Sequence, residues 1–217
     1  MDLLEALYTT RAMRRVSADP VPRESVAAML DAAVRAPSGG NTQNWRFMVV
    51  TDPATRARLG PLYRAAFDRL QQTVYQRSWS RAKETGDEAT LRIIRSSAWL
   101  ADNFEQVPLW LMAFSRNDPT GASIYPAVWN AMLAARGHGI GTCLTTILGT
   151  FESEAVFEVL GVPTDRGWTM SAAVSCGYPL GRWGRAERTP AHEVAYADTW
   201  GSPLDFEIPD PLWPPGD

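Results

Sequence analysis

The chain reads as an α+β sandwich, with helices packed on a central sheet. Two observations predict it. Amphipathic helical segments outnumber apolar strand-like runs, and the two kinds do not alternate as regular βαβ units. No repeat and no internal linker interrupts the 217 residues, so they are expected to form one domain, residues 1–217.

The elements follow in order. Residues 2–9 form a short helix with Leu3, Leu4 and Leu7 on one face. A basic segment, Thr10–Arg15, comes next. Pro20 and Pro22 introduce a second helix whose Val26, Met29, Leu30, Ala33 and Val34 recur at helical spacing, and Pro37 stops it. Residues 36–47 then make a polar turn of small residues, followed by a strand over Phe47–Thr51 rich in β-formers.

Asp52-Pro53 is a helix start, an acidic N-cap followed by proline in the first turn. Leu59, Leu62, Phe67 and Leu70 continue that helix. The polar stretch Gln71–Asp87, which embeds Tyr75 and Trp79, reads either as a lid or as a solvated helix end. A helix is expected over about 88–103, and a buried strand over 107–114, with Pro108 near its start. A helix over 122–136 should end at Gly137 as its cap. Residues 140–147 read as a strand entering a loop, Glu152–Leu160 as a helix stopped by Gly161, and Met170–Cys176 as a strand ending in the turn Gly177-Tyr178-Pro179. The proline-rich stretch 197–217 cannot build a core alone. It is either disordered or an extended arm, and Trp200, Phe206, Leu212 and Trp213 favour an arm lying on another surface.

Composition narrows the function. A formal net charge of −3 provides no global field for nucleic acid or an anionic membrane, so neither is an expected partner. The longest apolar run, around Val107–Phe114, is too short to span a bilayer, and the first residues do not read as a signal peptide; a cytoplasmic protein is expected. The two cysteines, Cys143 and Cys176, have no zinc-ligand spacing and are expected as buried small hydrophobes, with no metal site. Nine tryptophans indicate large flat apolar surfaces, and Trp45 and Trp129 are expected in the core.

Protein-based catalytic motifs are missing. There is no nucleophile elbow, no His-Glu-x-x-His and no Walker loop. Gly137-His138-Gly139-Ile140-Gly141 fails as a dinucleotide fingerprint, because residue 144 is Leu and a helix rather than a strand precedes it. His138 is expected to cap or to face solvent, and Cys143 to pack without an activating neighbour. Such a chain suits a cofactor-dependent enzyme, in which the cofactor carries the chemistry. Ser, Asn and Gln donors with bare backbone at 36–47 fit a planar polar ligand. Arg11, Arg14 and Arg15 could clamp a phosphate, and a second basic group, Arg182, Arg185 and Arg188, could converge on the same one.

Four segments in this order carry a resemblance. Tyr8-Thr-Thr-Arg-Ala-Met-Arg-Arg15 is similar to an Arg-Arg-Ser-x-Arg signature. Ala36-Pro-Ser-Gly-Gly-Asn-Thr-Gln-Asn-Trp45 resembles Ala-Pro-Ser-x-x-Asn-x-Gln-Pro-Trp. Asn130–Ala135 with Gly139–Cys143 matches a helix and the turn after it, and Gly177-Tyr-Pro179 with Arg188–Val194 a phosphate-binding segment. The chain thus resembles the FMN-dependent nitroreductase family over roughly residues 5–195. Thr10, Ala12 and Asn44 depart from the signatures, which places two phosphate contacts in question.

The resemblance implies a three-layer α/β/α sandwich with a mostly antiparallel central sheet, and a homodimer with swapped arms and FMN at the subunit interface. It implies that Arg11 and Arg188 hold the phosphate and that Arg14 lies near the pyrimidine edge of the ring. Pro37, Ser38, Gly39 and Asn41 would come from the partner chain. Thr145, Thr146 and also Ile147 would occupy the loop facing flavin N5 and tune hydride transfer. NAD(P)H would be the donor, and a nitroaromatic or quinone the acceptor, sharing one slot in ping-pong order. The alternatives are a flavin-storage protein with little turnover, or a relative that dehalogenates or fragments the flavin.

Overall fold

The computed structural model describes residues 1–211 and 213. Leu212 and residues 214–217 of the expected arm lie outside the described residues. Two compact units are distinguished, one formed by Met1–Thr10 with Trp183–Asp217, the other by Arg11–Arg182.

The Arg11–Arg182 unit is a three-layer α/β/α sandwich. Its sheet has four antiparallel strands, β1 (Trp45–Val50), β2 (Leu109–Ser115), β3 (Gly141–Thr145) and β4 (Thr169–Gly177), in the order β1-β2-β4-β3. β2 is buried along its whole length because both faces are covered. Its side chains alternate accordingly. Trp110, Met112 and Phe114 enter one apolar layer, and Leu109, Leu111 and Ala113 the other. A register irregularity between Ala113 and Phe114 lets β4 follow it, pairing Phe114 with Met170.

One layer is built from α1 (Arg23–Val34) and α2 (Ile124–Gly137). Small residues at their contact, Ala33 on one helix and Ala127, Ala131 and Ala135 on the other, are fully buried and let the backbones approach closely. Asn130 Nδ2 donates to the Ala32 carbonyl at 3.2 Å and ties the pair. The end of α2 corrects the expected cap: Gly137 is the last helical residue, and Gly139, with φ +73°, is the left-handed one. The Gly139 N–H donates to the Arg136 carbonyl at 3.0 Å and the Ile140 N–H to the Ala135 carbonyl at 2.9 Å, satisfying two end carbonyls. His138 serves as the cap residue, as expected, with its Nδ1 3.1 Å from Ser25 Oγ.

The opposite layer contains α3 (Pro53–Thr73), α4 (Gln76–Thr85), α5 (Glu88–Asp102), α6 (Ile147–Phe151) and α7 (Ser153–Leu160). The Asp52 cap holds: its carboxylate accepts from the Thr55 N–H at 2.8 Å and from the Thr55 hydroxyl at 2.7 Å. Leu59, Tyr63, Ala66 and Phe67 form the buried stripe of α3. Gln71–Asp87 is mostly helical: it completes α3 and forms α4. Helix α6 was not legible, since Ile147–Phe151 is too short to show a period.

Three further expectations are corrected. The strand at 47–51 begins at Trp45. Trp129 is 38% exposed on α2 rather than buried. The Tyr178-Pro179 stretch does not turn at once: its Tyr178 carbonyl accepts from the Ser17 N–H at 2.8 Å, and Pro179 bridges Val16. Trp45, Cys143 and Cys176 are buried as expected.

The other unit contains a helix at Leu3–Thr9 and a short one at Ala191–Val194, and the Ala186 N–H donates to the Tyr8 carbonyl at 3.0 Å. Tyr8 packs on Trp213, ring centres 5.9 Å apart. Leu3, Leu4 and Leu7 are exposed, as are Trp200 and Phe206. No helix among the described residues is long and apolar enough to cross a membrane.

Candidate functional site

Residues 12–16 run extended beside β3, although the sequence shows no strand there. Ala12 bridges Thr142, and the Met13 N–H donates to the Thr142 carbonyl at 2.8 Å. Two glycines make room for this approach. A Cβ on Gly141 would stand 2.8 Å from Met13 Cβ, and one on Gly177 2.9 Å from Val16 Cβ. With Met13 and Val16 buried, Arg14 is left half-buried at the β3 edge of the sheet.

There Arg14 lines a cavity of about 400 Å³ with Tyr63, Phe67, Trp79, Cys143 and Thr145. Cys143 and Thr145 share one face of β3 because side chains alternate along a strand, and Cys143 belongs to the apolar layer under α3. Arg14 Nη1 donates to Ser96 Oγ on α5 at 3.3 Å. Tyr63 is held by Phe104 and Trp110, ring centres 5.1 and 5.5 Å away. Burial pushes the Tyr63 phenol far up, and nearby Cys143 adds to this; a hydrogen bond to the Thr145 side chain and the Arg14 charge oppose it. Burial also pushes the Cys143 thiol up, against the opposing pull of Arg14. Both groups are therefore neutral at working pH, and Arg14 supplies the positive charge of the cavity.

The outer wall comes from the segment whose role was open. Tyr75 and Trp79 stack with ring centres 5.3 Å apart and planes 6° apart, and both line the cavity. Trp79 is buried and also meets Phe67 at 5.9 Å, whereas Tyr75 is 41% exposed at the rim. Thr145 ends β3, and its Oγ1 lies a long 3.5 Å from the Ile147 N–H. Thr146 is exposed, and its carbonyl accepts from the Thr150 N–H and hydroxyl, both at 3.0 Å. Ile147 lines the cavity as well.

Other expected site residues lie elsewhere. Arg11 is exposed and its Nη2 donates to the Arg182 carbonyl at 2.9 Å. Arg188 belongs to the unit of the chain ends; its Nη1 donates to the Glu187 carbonyl at 2.7 Å and it lines a 340 Å³ concavity with Leu7, Tyr8 and Pro209. Pro37, Ser38, Gly39 and Asn41 precede β1. Their loop is tightly built: the Asn41 N–H donates to the Ser38 carbonyl at 2.9 Å, the Gln43 N–H to Ser38 Oγ at 3.2 Å, and Gln43 Nε2 to Asn41 Oδ1 at 3.0 Å. Asn41 and Gln43 adopt φ of 54° and 50°, a conformation uncommon for non-glycine residues and concentrated at functional sites.

These four residues do not line the Arg14 cavity of their own chain. The sheet order explains why. β1 and β3 are opposite edges, separated by β2 and β4, so three strand spacings of ~4.8 Å each, roughly 14 Å, divide them.

Competing concavities carry less chemistry. One of 630 Å³ beside α1 and β1 is lined mostly by apolar residues, and Nη1 of its Arg56 donates to the Glu105 and Val107 carbonyls, each at 2.6 Å. Another of 410 Å³ contains Asp118, whose carboxylate is occupied by the Ser123 and Ile124 N–H groups at the start of α2. Sequence reasoning missed Tyr63, whose spacing with Leu59 and Phe67 marks it only as core.

Comparison with known proteins identifies the family and the fold. The nitroreductase family model matches residues 7–178. A 5,6-dimethylbenzimidazole synthase of Rhodospirillum rubrum is 31% identical over 183 residues, 82% of this chain and 82% of the relative. An NADH dehydrogenase of Thermus thermophilus is 28% identical over 213 residues, 89% and 95% of the two chains. Among solved structures, an oxidized iodotyrosine deiodinase bound to FMN and 3-iodo-L-tyrosine superposes with a TM-score of 0.71 at 21% identity, covering 88% of this chain and 96% of that one. A nitroreductase with bound FMN from Bacteroides fragilis gives 0.64 at 20% identity, covering 91% and 100%. The match over most of its length, on the sandwich that holds the Arg14 cavity, shows that this chain belongs to the nitroreductase family.

Proposed function

We propose that this protein is an FMN-dependent oxidoreductase that passes hydride from NAD(P)H to an electrophilic acceptor such as a nitroaromatic or quinone. The observation that carries the reading is the cavity at the end of β3, where the Arg14 guanidinium, the Thr145 hydroxyl and an aromatic wall converge. This donor set fits a flavin ring. Tyr63, Phe67 and Trp79 offer apolar flat surface, and Arg14 and Thr145 offer a polar edge. FMN, when bound, supplies two-electron hydride chemistry between a reduced nicotinamide and the acceptor.

The residues of the chain do the rest. Arg14, held by Ser96, sets a positive charge where negative charge grows on reduction. Thr145, and the backbone at Thr146 and Ile147, orient the reacting edge. Arg11, exposed in the sandwich unit, offers a guanidinium to the phosphate. The aromatic wall keeps water from the reacting face. Donor and acceptor use one slot in turn, which gives ping-pong kinetics.

Pro37, Ser38, Gly39 and Asn41 act from a second copy, since roughly 14 Å of sheet parts them from Thr145 within one chain. The site is thus completed only in a homodimer. The stretch from residue 197, as far as it is described, acts as an arm laid on the partner; the exposed Trp200 and Phe206 support this. The open rim at Tyr75 supports turnover over flavin storage.

The test is direct. Purified protein should be yellow, bleach anaerobically with NADH or NADPH, and regain colour on adding a nitroarene. Colourless protein that also fails to bind added FMN contradicts the flavin reading, and flavin that stays unbleached favours storage.

A further inference from the structure

The aromatic cavity has a neighbour. A second concavity of about 580 Å³ adjoins it, and Ser78 and Thr90 line both. Arg77 and Arg81 line the second one. They stand one turn apart on α4, both exposed, and neither has a carboxylate within ion-pair distance among the described residues. The acidic group in that concavity is already engaged. Asp87 accepts from the Thr90 hydroxyl at 2.7 Å and from the Ala89 and Thr90 N–H groups at 3.1 and 3.2 Å. Around the helix, Arg81 borders Ser78, and beyond Ser78 lies the Trp79 face, so the same α4 presents guanidinium groups and the stacked Tyr75–Trp79 pair to adjoining spaces.

Resting on the proposed oxidoreductase reading, we propose that Arg77 and Arg81 form an anion subsite beside the aromatic slot. The site then takes ligands that join a planar ring to a negatively charged substituent. The ring lies in the slot bounded by Tyr75 and Trp79, and the charge reaches past Ser78 to the two guanidiniums, which bind carboxylate or phosphate oxygens. Two ligands share this chemistry: an aryl carboxylate acceptor, and a dinucleotide donor whose phosphates trail its nicotinamide.

The double variants Arg77→Ala/Arg81→Ala and Arg77→Lys/Arg81→Lys, purified with FMN, separate them. In the first arm, calorimetry on the oxidised holoprotein compares 4-nitrobenzoate with the neutral 4-nitrobenzyl alcohol. In the second, the bleaching rate compares NADH with the phosphate-free 1-benzyl-1,4-dihydronicotinamide. For two exposed charges the alanine variant should lose about fivefold toward one charged ligand, with the neutral counterpart unchanged and the lysine variant largely retaining binding. Loss confined to 4-nitrobenzoate assigns the subsite to the acceptor, and loss confined to NADH assigns it to the donor. Unchanged behaviour toward all four compounds, or an equal loss toward charged and neutral ones, overturns the subsite while the flavin reading stands. Native protein that binds no FMN overturns both.

Discussion

A Cβ built on Gly141 would stand 2.8 Å from the Cβ of Met13, closer than packed side chains come. The extended segment carrying Arg14 can lie against β3 only because residue 141 has no side chain. Gly141→Ala should therefore push residues 12–16 outward. The expected cost is about 1–3 kcal/mol of stability, as for other overpacked contacts, together with weaker FMN retention as Arg14 shifts. Denaturant unfolding and flavin release measure the two effects; an unchanged midpoint and unchanged retention would show that the segment is not clamped there.

Arg14 is the charged group of the cavity, so its replacement should separate charge from shape. Arg14→Lys keeps a cation, and Arg14→Met keeps a similar stem without charge. The flavin midpoint potential should fall in the methionine variant and change little in the lysine variant, because a removed positive charge no longer favours the reduced anion. Equal potentials in both variants would remove Arg14 from that role.

Tyr63 should stay neutral throughout the working range. Burial raises its phenol, so ionisation is displaced upward and cannot produce an alkaline limb below the ordinary tyrosine range near 10. Tyr63→Phe should leave the pH profile of kcat/KM unaltered in shape, because the phenol it removes does not titrate there. A limb that vanishes in Tyr63→Phe would mean that the phenol titrates.

Burial likewise raises both thiols, Cys143 and Cys176. Neither should react with iodoacetamide in the folded protein at pH 8, and both should react once it is unfolded. Rapid labelling of Cys143 in the native state would contradict the raised thiol.

The cap at Asp52 has a definite pH signature. Its carboxylate is held below the usual range, first by the Thr55 hydroxyl and then by the Thr55 N–H. The unfolded chain thus takes up the proton first as pH falls. The contribution of the cap is present above the unfolded value of about 3.9 and is lost as pH falls through the lower folded value. Asp52→Ala should melt at a lower temperature than the native chain at pH 7, and the gap should close in acid. A gap independent of pH would show that the charge plays no part.

What could be read before the structure follows physical range. Periodic helices such as Arg23–Val34, the Asp52 cap and the doubly buried β2 are local or strongly patterned, and they stood out. The extended path of 12–16 was hidden, because it depends on a partner strand over a hundred residues away and on two glycines that merely fail to obstruct it. Tyr63 looked like core because its helical spacing is that of core; only tertiary placement brings it to the cavity that Thr145 also lines. Arg14 and Thr145 were expected at one site and do meet in one cavity. The loop of Pro37, Ser38, Gly39 and Asn41 stands at the far edge of the sheet, a separation that no linear pattern discloses.

That separation makes the central claim measurable. If the loop before β1 completes the Arg14 cavity of another copy, FMN binds the dimer and not the monomer. Sedimentation velocity, with the visible flavin absorbance recorded beside that of the protein over a dilution series, tests this directly. The account predicts flavin absorbance confined to the dimer boundary, with free FMN appearing as the dimer dissociates. Flavin travelling with a monomer boundary would contradict it.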